Sequence, residues 1–280
     1  MPELPEVETV RRGLAPVLVG QRLSRVTTYR PDLRVALPEG LAQRLTGRRV
    51  VALGRRSKYL LWHCDDGTVL IVHLGMSGSI RVFTTPPPPR GPHDHVIFET
   101  DAGATVRFCD PRRFGLMALA DAASLNQHPL LARLGGEPLE ANFDGAALAA
   151  QLKGRRGPIK NALMDQSVVA GLGNIYVCES LFHAGLSPYR RAGTVQGQRA
   201  ERLSGAIRKV LGAAIAAGGS SISDHRQPSG ELGYFQLRLA VYGREGEVCP
   251  GCDCERGRTG GIRRIVQSGR STFYCATRQR

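Results

Sequence analysis

Three apolar runs stand out in the first 120 residues: Lys58-Tyr59-Leu60-Leu61-Trp62, Thr68-Val69-Leu70-Ile71-Val72-His73-Leu74 and Val96-Ile97-Phe98. Each is short, rich in β-formers and bounded by Gly, Pro or Asp, so residues 1–120 read mainly as strands. Ahead of them, Val7, Val10, Arg11 and Leu14 recur at helical spacing and predict a short anchored helix at the start of the chain. Pro86-Pro87-Pro88-Pro89-Arg90-Gly91-Pro92 predicts an exposed extended loop, since proline gives no ladder donor. The pattern changes around residues 126–142, where Pro129, Gly135, Gly136 and Pro138 cluster. From Ala146 helical periods dominate, through residues 147–152, 175–184 and 199–217, the last with Leu203, Ile207, Val210 and Leu211 on one face. Residues 218–233 are polar, Gly-rich and too long for a plain turn, which predicts a mobile functional loop. A Cys-rich β module closes the chain, and no internal repeat is present. The boundaries expected are 1–125, a linker at 126–145, then 146–237 and 238–280.

Charge changes the picture. The 280 residues carry 38 Lys+Arg against 24 Asp+Glu, a net +14 with a pI near 10.1. On a folded chain of ordinary hydrophobicity this favours a polyanionic partner, nucleic acid ahead of a membrane surface. No window holds 18 consecutive apolar residues and the charged N-terminus is no signal peptide, so no membrane is expected and the location expected is cytoplasmic. Four of the seven cysteines lie in the last 32 residues, which points to reduced thiols and a metal site rather than secreted disulfides.

The opening Met1-Pro2-Glu3-Leu4-Pro5-Glu6-Val7-Glu8 is the most chemically suggestive stretch. Trimming of Met1 leaves Pro2 with a free secondary amine, titrating several units below a lysine and therefore partly nucleophilic at neutral pH. Such amines attack electrophilic carbon, and from proline the product is an iminium. Glu3 is placed to donate a proton. The plainer reading is a Pro-Glu pair that merely starts a helix.

Cys249-Pro-Gly-Cys252 has the spacing of a metal knuckle. A four-cysteine ribbon would pair it with Cys275 and a thiolate at 278, but position 278 is arginine. Cys254 is the remaining nearby cysteine, so the expected zinc set is Cys249, Cys252, Cys275 and Cys254; the other reading is a metal-free hairpin held by packing. From Arg238 to Arg280 nine arginines face four acids, either a solvated face or a hairpin whose tip meets phosphates. Gly171-Leu172-Gly173-Asn174 precedes an apolar helix, with Asn174 as the expected N-cap and the glycines opening backbone N–H groups to an anion. Arg155, Arg156 and Lys160 add cations upstream. Met76, between Gly75 and Gly78, and Arg112 with Phe114 in Asp110-Pro111-Arg112-Arg113-Phe114-Gly115 sit in glycine-flanked turns. They are either core residues or fillers for a stack vacated by an extruded base.

Taken together these motifs resemble formamidopyrimidine-DNA glycosylase. The resemblance runs over essentially the whole chain, through Pro2–Glu6, residues 57–60, 73–78, 110–115, 171–176 and 269–275 in the family's order. It implies an α+β fold: an N-terminal β-sandwich with a nucleophile-bearing helix, a helix–two-turn–helix domain and a zinc-finger β-hairpin, with duplex DNA held in the cleft between. It implies that Pro2 attacks C1′ of a damaged nucleotide, that Glu3 acts as acid for the sugar ring oxygen, and that Glu6 supports the site. Lys58 then matches the lysine of β-elimination and Arg270 the arginine of δ-elimination. Met76, Arg112 and Phe114 match the residues filling the gap, while His93, Arg155, Lys160 and Asn174 match DNA-backbone contacts. Residues 218–233 match a loop closing over the extruded base. The activity implied is excision of 8-oxoguanine and formamidopyrimidines with strand nicking, by a monomer carrying one zinc. Two rivals differ in class. A related endonuclease VIII would remove oxidised pyrimidines, though Leu4 and the 110–114 turn argue against it. A non-catalytic zinc-ribbon DNA-binding protein would have no use for a free proline amine.

Overall fold

The computed structural model describes residues 2–220, 233–254 and 259–280, so most of the loop expected at 218–233 lies outside the described residues. The chain forms two compact units, Met1–Ala132 with Ala217–Gln236, and Arg133–Ala216 with Leu237–Arg280.

The first unit is built on two four-stranded antiparallel sheets. One has the order β1 (Leu23–Thr28), β6 (Asp94–Thr100), β7 (Thr105–Cys109), β5 (Ser79–Phe83). The other has the order β2 (Val50–Arg56), β3 (Tyr59–Cys64), β4 (Thr68–His73), β8 (Leu116–Asp121). Their inner faces share one core: Leu60, Trp62, Leu70 and Val72 meet Val96, Phe98, Val106 and Phe108, with the Trp62 and Phe98 rings 4.8 Å apart. The sheets therefore form a sandwich.

Helix α1 (Leu4–Leu18) buries Val7, Val10, Leu14 and Leu18 against the same core. At about 1.5–3 kcal/mol per buried aliphatic side chain, this packing outweighs any intrinsic propensity of a 15-residue helix. The helix is longer than the short one expected. It runs antiparallel to β2: Arg11 Nη1 donates to Leu53 O at 3.3 Å, and Arg55 Nε lies 3.4 Å from Glu8 Oε2. The short α2 (Leu41–Leu45) adds Leu41 and Leu45 to that core. Residues 84–92 form no strand and are mostly exposed, and the buried Arg107 holds them by donating to the Pro88 and Pro89 carbonyls.

The second unit is helical, with α3 (Gly145–Leu152), α4 (Ile159–Met164), α5 (Asn174–Ala184) and α6 (Gln198–Ala216), followed by the hairpin β9 (Ile262–Gln267) and β10 (Arg270–Cys275). The expected face of α6 is the buried one: Leu203, Ile207, Val210 and Leu211 are all in the core. Helix α5 ends at Gly185 in the left-handed conformation, with a backbone that lets Leu186 N–H return to Leu181 O. One expectation fails at the other end of α5. Gly173, not Asn174, is the N-cap; Asn174 is the first helical residue, and its amide turns to Ser271 O at 2.8 Å instead of the helix. Among the described residues no helix is long and apolar enough to cross a membrane.

Candidate functional site

In the first unit the start of α1 is buried. Pro2, Glu3 and Glu6 are all buried, with Glu3 in the N-cap position and its N–H donating to Glu6 Oε2 at 2.9 Å. The other Glu6 oxygen accepts the Ser220 N–H at 2.8 Å. A carboxylate holding two backbone donors is fixed in orientation, so Glu6 pins both the Pro2–Glu3 segment and the residue that leads into 221–232. Gly219 makes this possible: its φ is +80°, and a Cβ there would sit 3.2 Å from Glu6 Oε1.

Lys58 occupies the second position of the two-residue turn between β2 and β3, where Arg56 pairs with Tyr59 and Ser57 takes φ 55°. Its side chain is tucked in, the residue being only 6 % exposed. The antiparallel packing of α1 on β2 sets residue 11 beside 53 and residue 8 beside 55. Continuing backward along the helix at about 1.5 Å per residue and forward along the strand at about 3.3 Å per residue carries Pro2 toward the Ser57–Lys58 turn. His73 lies opposite Tyr59 across β3 and β4. Burial, with the Lys58 and Arg34 charges adding to it, pushes His73 down to about 4, so it is neutral at physiological pH and its Nδ1 accepts the Gly75 N–H at 2.9 Å.

The two glycine-flanked turns interlock. Asp110, fully buried, accepts from Ser77 Oγ at 2.6 Å and from Gly115 N–H at 2.7 Å, while Ser77 Oγ also accepts the Arg112 N–H. Gly75 is pressed against the Phe114 backbone so closely that no Cβ would fit. This clamp presents Met76, 43 % exposed, and Phe114, 41 % exposed, with the Arg112 guanidinium 4.8 Å over the Phe114 ring. At that exposure Met76 and Phe114 are not core residues. His93 is exposed beside the same turn, its carbonyl accepting the Asp110 N–H.

In the second unit Lys160 is fully buried, and burial lowers its pKa, with Arg270 among the groups that act on it. Asn174 Nδ2 reaches both Ser271 O and, at 3.4 Å, the Tyr242 hydroxyl, so Asn174, Tyr242 and the start of β10 are drawn together. Arg155 is half-exposed and paired with Asp165 at 3.2 Å. Arg270 is exposed at the tip of the β9–β10 hairpin, where Ser268 and Gly269 both take positive φ, the pattern of a type I′ turn.

The Sγ atoms of Cys249, Cys252, Cys254 and Cys275 all lie within 4.8 Å of one another, with 3.0 Å between Cys249 and Cys252 and 3.5 Å between Cys252 and Cys275. A tetrahedral ion with metal–sulfur bonds of about 2.3 Å needs sulfurs about 3.8 Å apart, so the donor set fits such an ion. Cys254 Sγ also accepts the Cys249 N–H at 3.2 Å, a bond that suits a thiolate.

Two residues escaped sequence reading. Glu179, 1 % exposed on α5, accepts the N–H groups of Ala240, Val241 and Tyr242 at 2.8–2.9 Å and ties the lead into the hairpin to the helix. Tyr242 joins the Asn174 cluster. The signal for Glu179 was a lone acid on an otherwise apolar helical face; Tyr242 had none.

Comparison with known proteins agrees with this arrangement. Residues 1–117 match the formamidopyrimidine-DNA glycosylase N-terminal domain and residues 134–226 the formamidopyrimidine-DNA glycosylase H2TH domain. The chain is 62 % identical to a formamidopyrimidine-DNA glycosylase of Rhodospirillum rubrum and 61 % identical to one of Rhodospirillum centenum, with 100 % of both chains covered in each case. Among solved structures it is similar to the MutM (Fpg) protein of Thermus thermophilus, at 40 % identity and TM-score 0.84 over 99 % of this chain and 98 % of that one. It is also similar to a Lactococcus lactis Fpg complexed with DNA containing an abasic site, at 35 % identity and TM-score 0.88 over 99 % of each chain. The chain belongs to the formamidopyrimidine-DNA glycosylase family.

Proposed function

We propose that this chain is a bifunctional DNA glycosylase and AP lyase that excises oxidised purines, 8-oxoguanine and formamidopyrimidines, from duplex DNA in the cytoplasm. The observation that carries the reading is the buried start of α1, where Glu6 fixes the Pro2–Glu3 segment and the helix runs back toward the buried Lys58 turn.

With Met1 removed, the Pro2 nitrogen attacks C1′ of the damaged nucleotide and the base departs with the electron pair of the glycosidic bond. Glu3 gives a proton to the sugar ring oxygen, the ring opens, and the C1′–nitrogen bond becomes an iminium. That positive charge acidifies the neighbouring C2′ proton, and its removal expels the 3′ phosphate. Lys58, a buried amine in the same unit, serves this β-elimination by taking that proton, and Arg270 the δ-elimination that releases the 5′ phosphate. Met76, Arg112 and Phe114 fill the stack behind the extruded base, offsetting part of the few kcal/mol that unstacking costs. Lys160, Asn174, Arg155 and His93 hold the backbone. Zinc on Cys249, Cys252, Cys254 and Cys275 would supply a structural cross-link at the base of the hairpin that presents Arg270.

The test is an excision panel. Duplexes carrying 8-oxoguanine or a formamidopyrimidine should be nicked on both sides of the lesion, and duplexes carrying an oxidised pyrimidine much more slowly. Faster cutting of the pyrimidine duplex would reverse the substrate assignment.

A further inference from the structure

The ligand set proposed above leaves a mechanical problem. A ribbon with paired knuckles would tie its two halves through two sulfurs on each side, whereas here Cys249, Cys252 and Cys254 share one loop and only Cys275 comes from β10. A metal alone would join that loop to the strand by a single bond. The residue standing where a second sulfur, three residues after Cys275, would be is Arg278.

Arg278 is placed to supply the missing link. Its Nη1 donates to the Pro250 carbonyl, inside the knuckle, at 2.9 Å. Its guanidinium carbon lies 4.9 Å from the centroid of the buried Phe182 ring on α5. Gly251 has φ +91°, and a Cβ there would overlap Arg278 Nη1, so the knuckle turn and the guanidinium are shaped to each other. The next residue, Gln279, is buried: it accepts the Cys275 N–H at 2.8 Å and donates to Leu186 O at 2.9 Å, and Arg280 N–H donates to Gly185 O. The segment after β10 is thus pinned to the end of α5 and to the knuckle with no metal taking part.

We propose that Arg278 is a metal-independent clasp of the C-terminal hairpin: it takes over the mechanical role of the ligand whose position it occupies, while Cys254 takes over the chemical one. The proposal rests on the zinc set above only for what is lost on chelation. A planar, permanently charged fork can bond a carbonyl and stack on a ring together, which an ammonium cannot.

Hydrogen exchange of the full-length protein tests this, with wild type, Arg278→Ala and Arg278→Lys each examined zinc-loaded and after chelation. In chelated wild type the amides of residues 275–280 should stay protected. Arg278→Ala should exchange at 275–280 about tenfold faster than wild type once the metal is stripped, as loss of one charge-assisted bond implies. The two should differ little when zinc is bound, and Arg278→Lys should fall between them. Equal exchange in chelated wild type and Arg278→Ala would overturn the clasp. Zinc content measured on the same samples separates the two ideas, because a purified protein without zinc overturns the ligand set and leaves the comparison at Arg278 intact.

Discussion

Glu179 gives the sharpest energetic prediction. Its carboxylate is buried and accepts three backbone N–H groups, Ala240 on Oε2 and Val241 and Tyr242 on Oε1. Glu179→Gln keeps the volume but turns one acceptor oxygen into a donor. One or two of the three N–H groups then face an NH2 group with no water to replace the lost bond. Each buried donor left unsatisfied costs about 1–3 kcal/mol, so the variant should be destabilised by about 2–4 kcal/mol. At roughly 2–4 °C per kcal/mol for chains of this size class, the loss in melting temperature should be roughly 5–15 °C. The damage should centre on the second unit, because the carboxylate orders the residues leading to Tyr242 and the β9–β10 hairpin. Calorimetry and urea unfolding measure the stability loss, and duplex titration should show weaker DNA binding. A shift under about 0.5 kcal/mol, within the range of an ordinary surface substitution, would refute the idea that these three bonds hold the hairpin to α5.

His73 should make stability depend on pH. Its folded pKa near 4 lies below the ordinary 6.5, so the unfolded chain binds the extra proton and stability is lost as pH falls from about 6.5 to 4. The loss should be about 2 kcal/mol once partial exposure is allowed for, and His73→Asn, which keeps an acceptor for Gly75 N–H, should flatten urea midpoints across that window. Arg107→Ala strands the buried Asp94 carboxylate, 3.1 Å from Arg107 Nη1, and frees the Pro88 and Pro89 carbonyls; denaturant unfolding should show a loss of about 3–5 kcal/mol. Met76→Ala and Phe114→Ala should weaken binding to lesion duplexes at least tenfold more than to undamaged ones in fluorescence titrations. Equal losses on both would mean that these side chains do not act as wedges.

Much of the candidate site was legible because its motifs are local. Lys58, Met76 and Phe114 sit in turns whose Gly and Ser residues mark them in the sequence, and Pro2 and Glu3 declare themselves by position. The strands were less legible. β7, Thr105-Val-Arg-Phe-Cys109, is wholly buried but carries Arg107, whose partner Asp94 comes from another strand. β8, Leu116-Met-Ala-Leu-Ala-Asp121, is made of helix formers and becomes a strand only by pairing with β4. Asn174 has the chemistry of an N-cap, but a backbone carbonyl 97 residues away, on Ser271, outcompetes the helix end. Glu179 bonds to a segment 61 residues distant. Local pattern cannot see such partners, whereas Cys254, despite its irregular spacing, was legible as the remaining nearby cysteine and joins the expected donor set.

The amine of Pro2 is the centre of the proposed chemistry. Borohydride added during reaction with an 8-oxoguanine duplex should reduce the iminium and leave a covalent protein–DNA adduct whose peptide map places the linkage at Pro2. Pro2→Gly should slow adduct formation strongly, and an uncleaved N-terminal extension should abolish it. Glu3→Gln should impair base excision while sparing much of the cleavage at a preformed abasic site. Full trapping through a lysine in the extended protein would contradict the mechanism, because the attacking nitrogen would then lie elsewhere than at the start of α1.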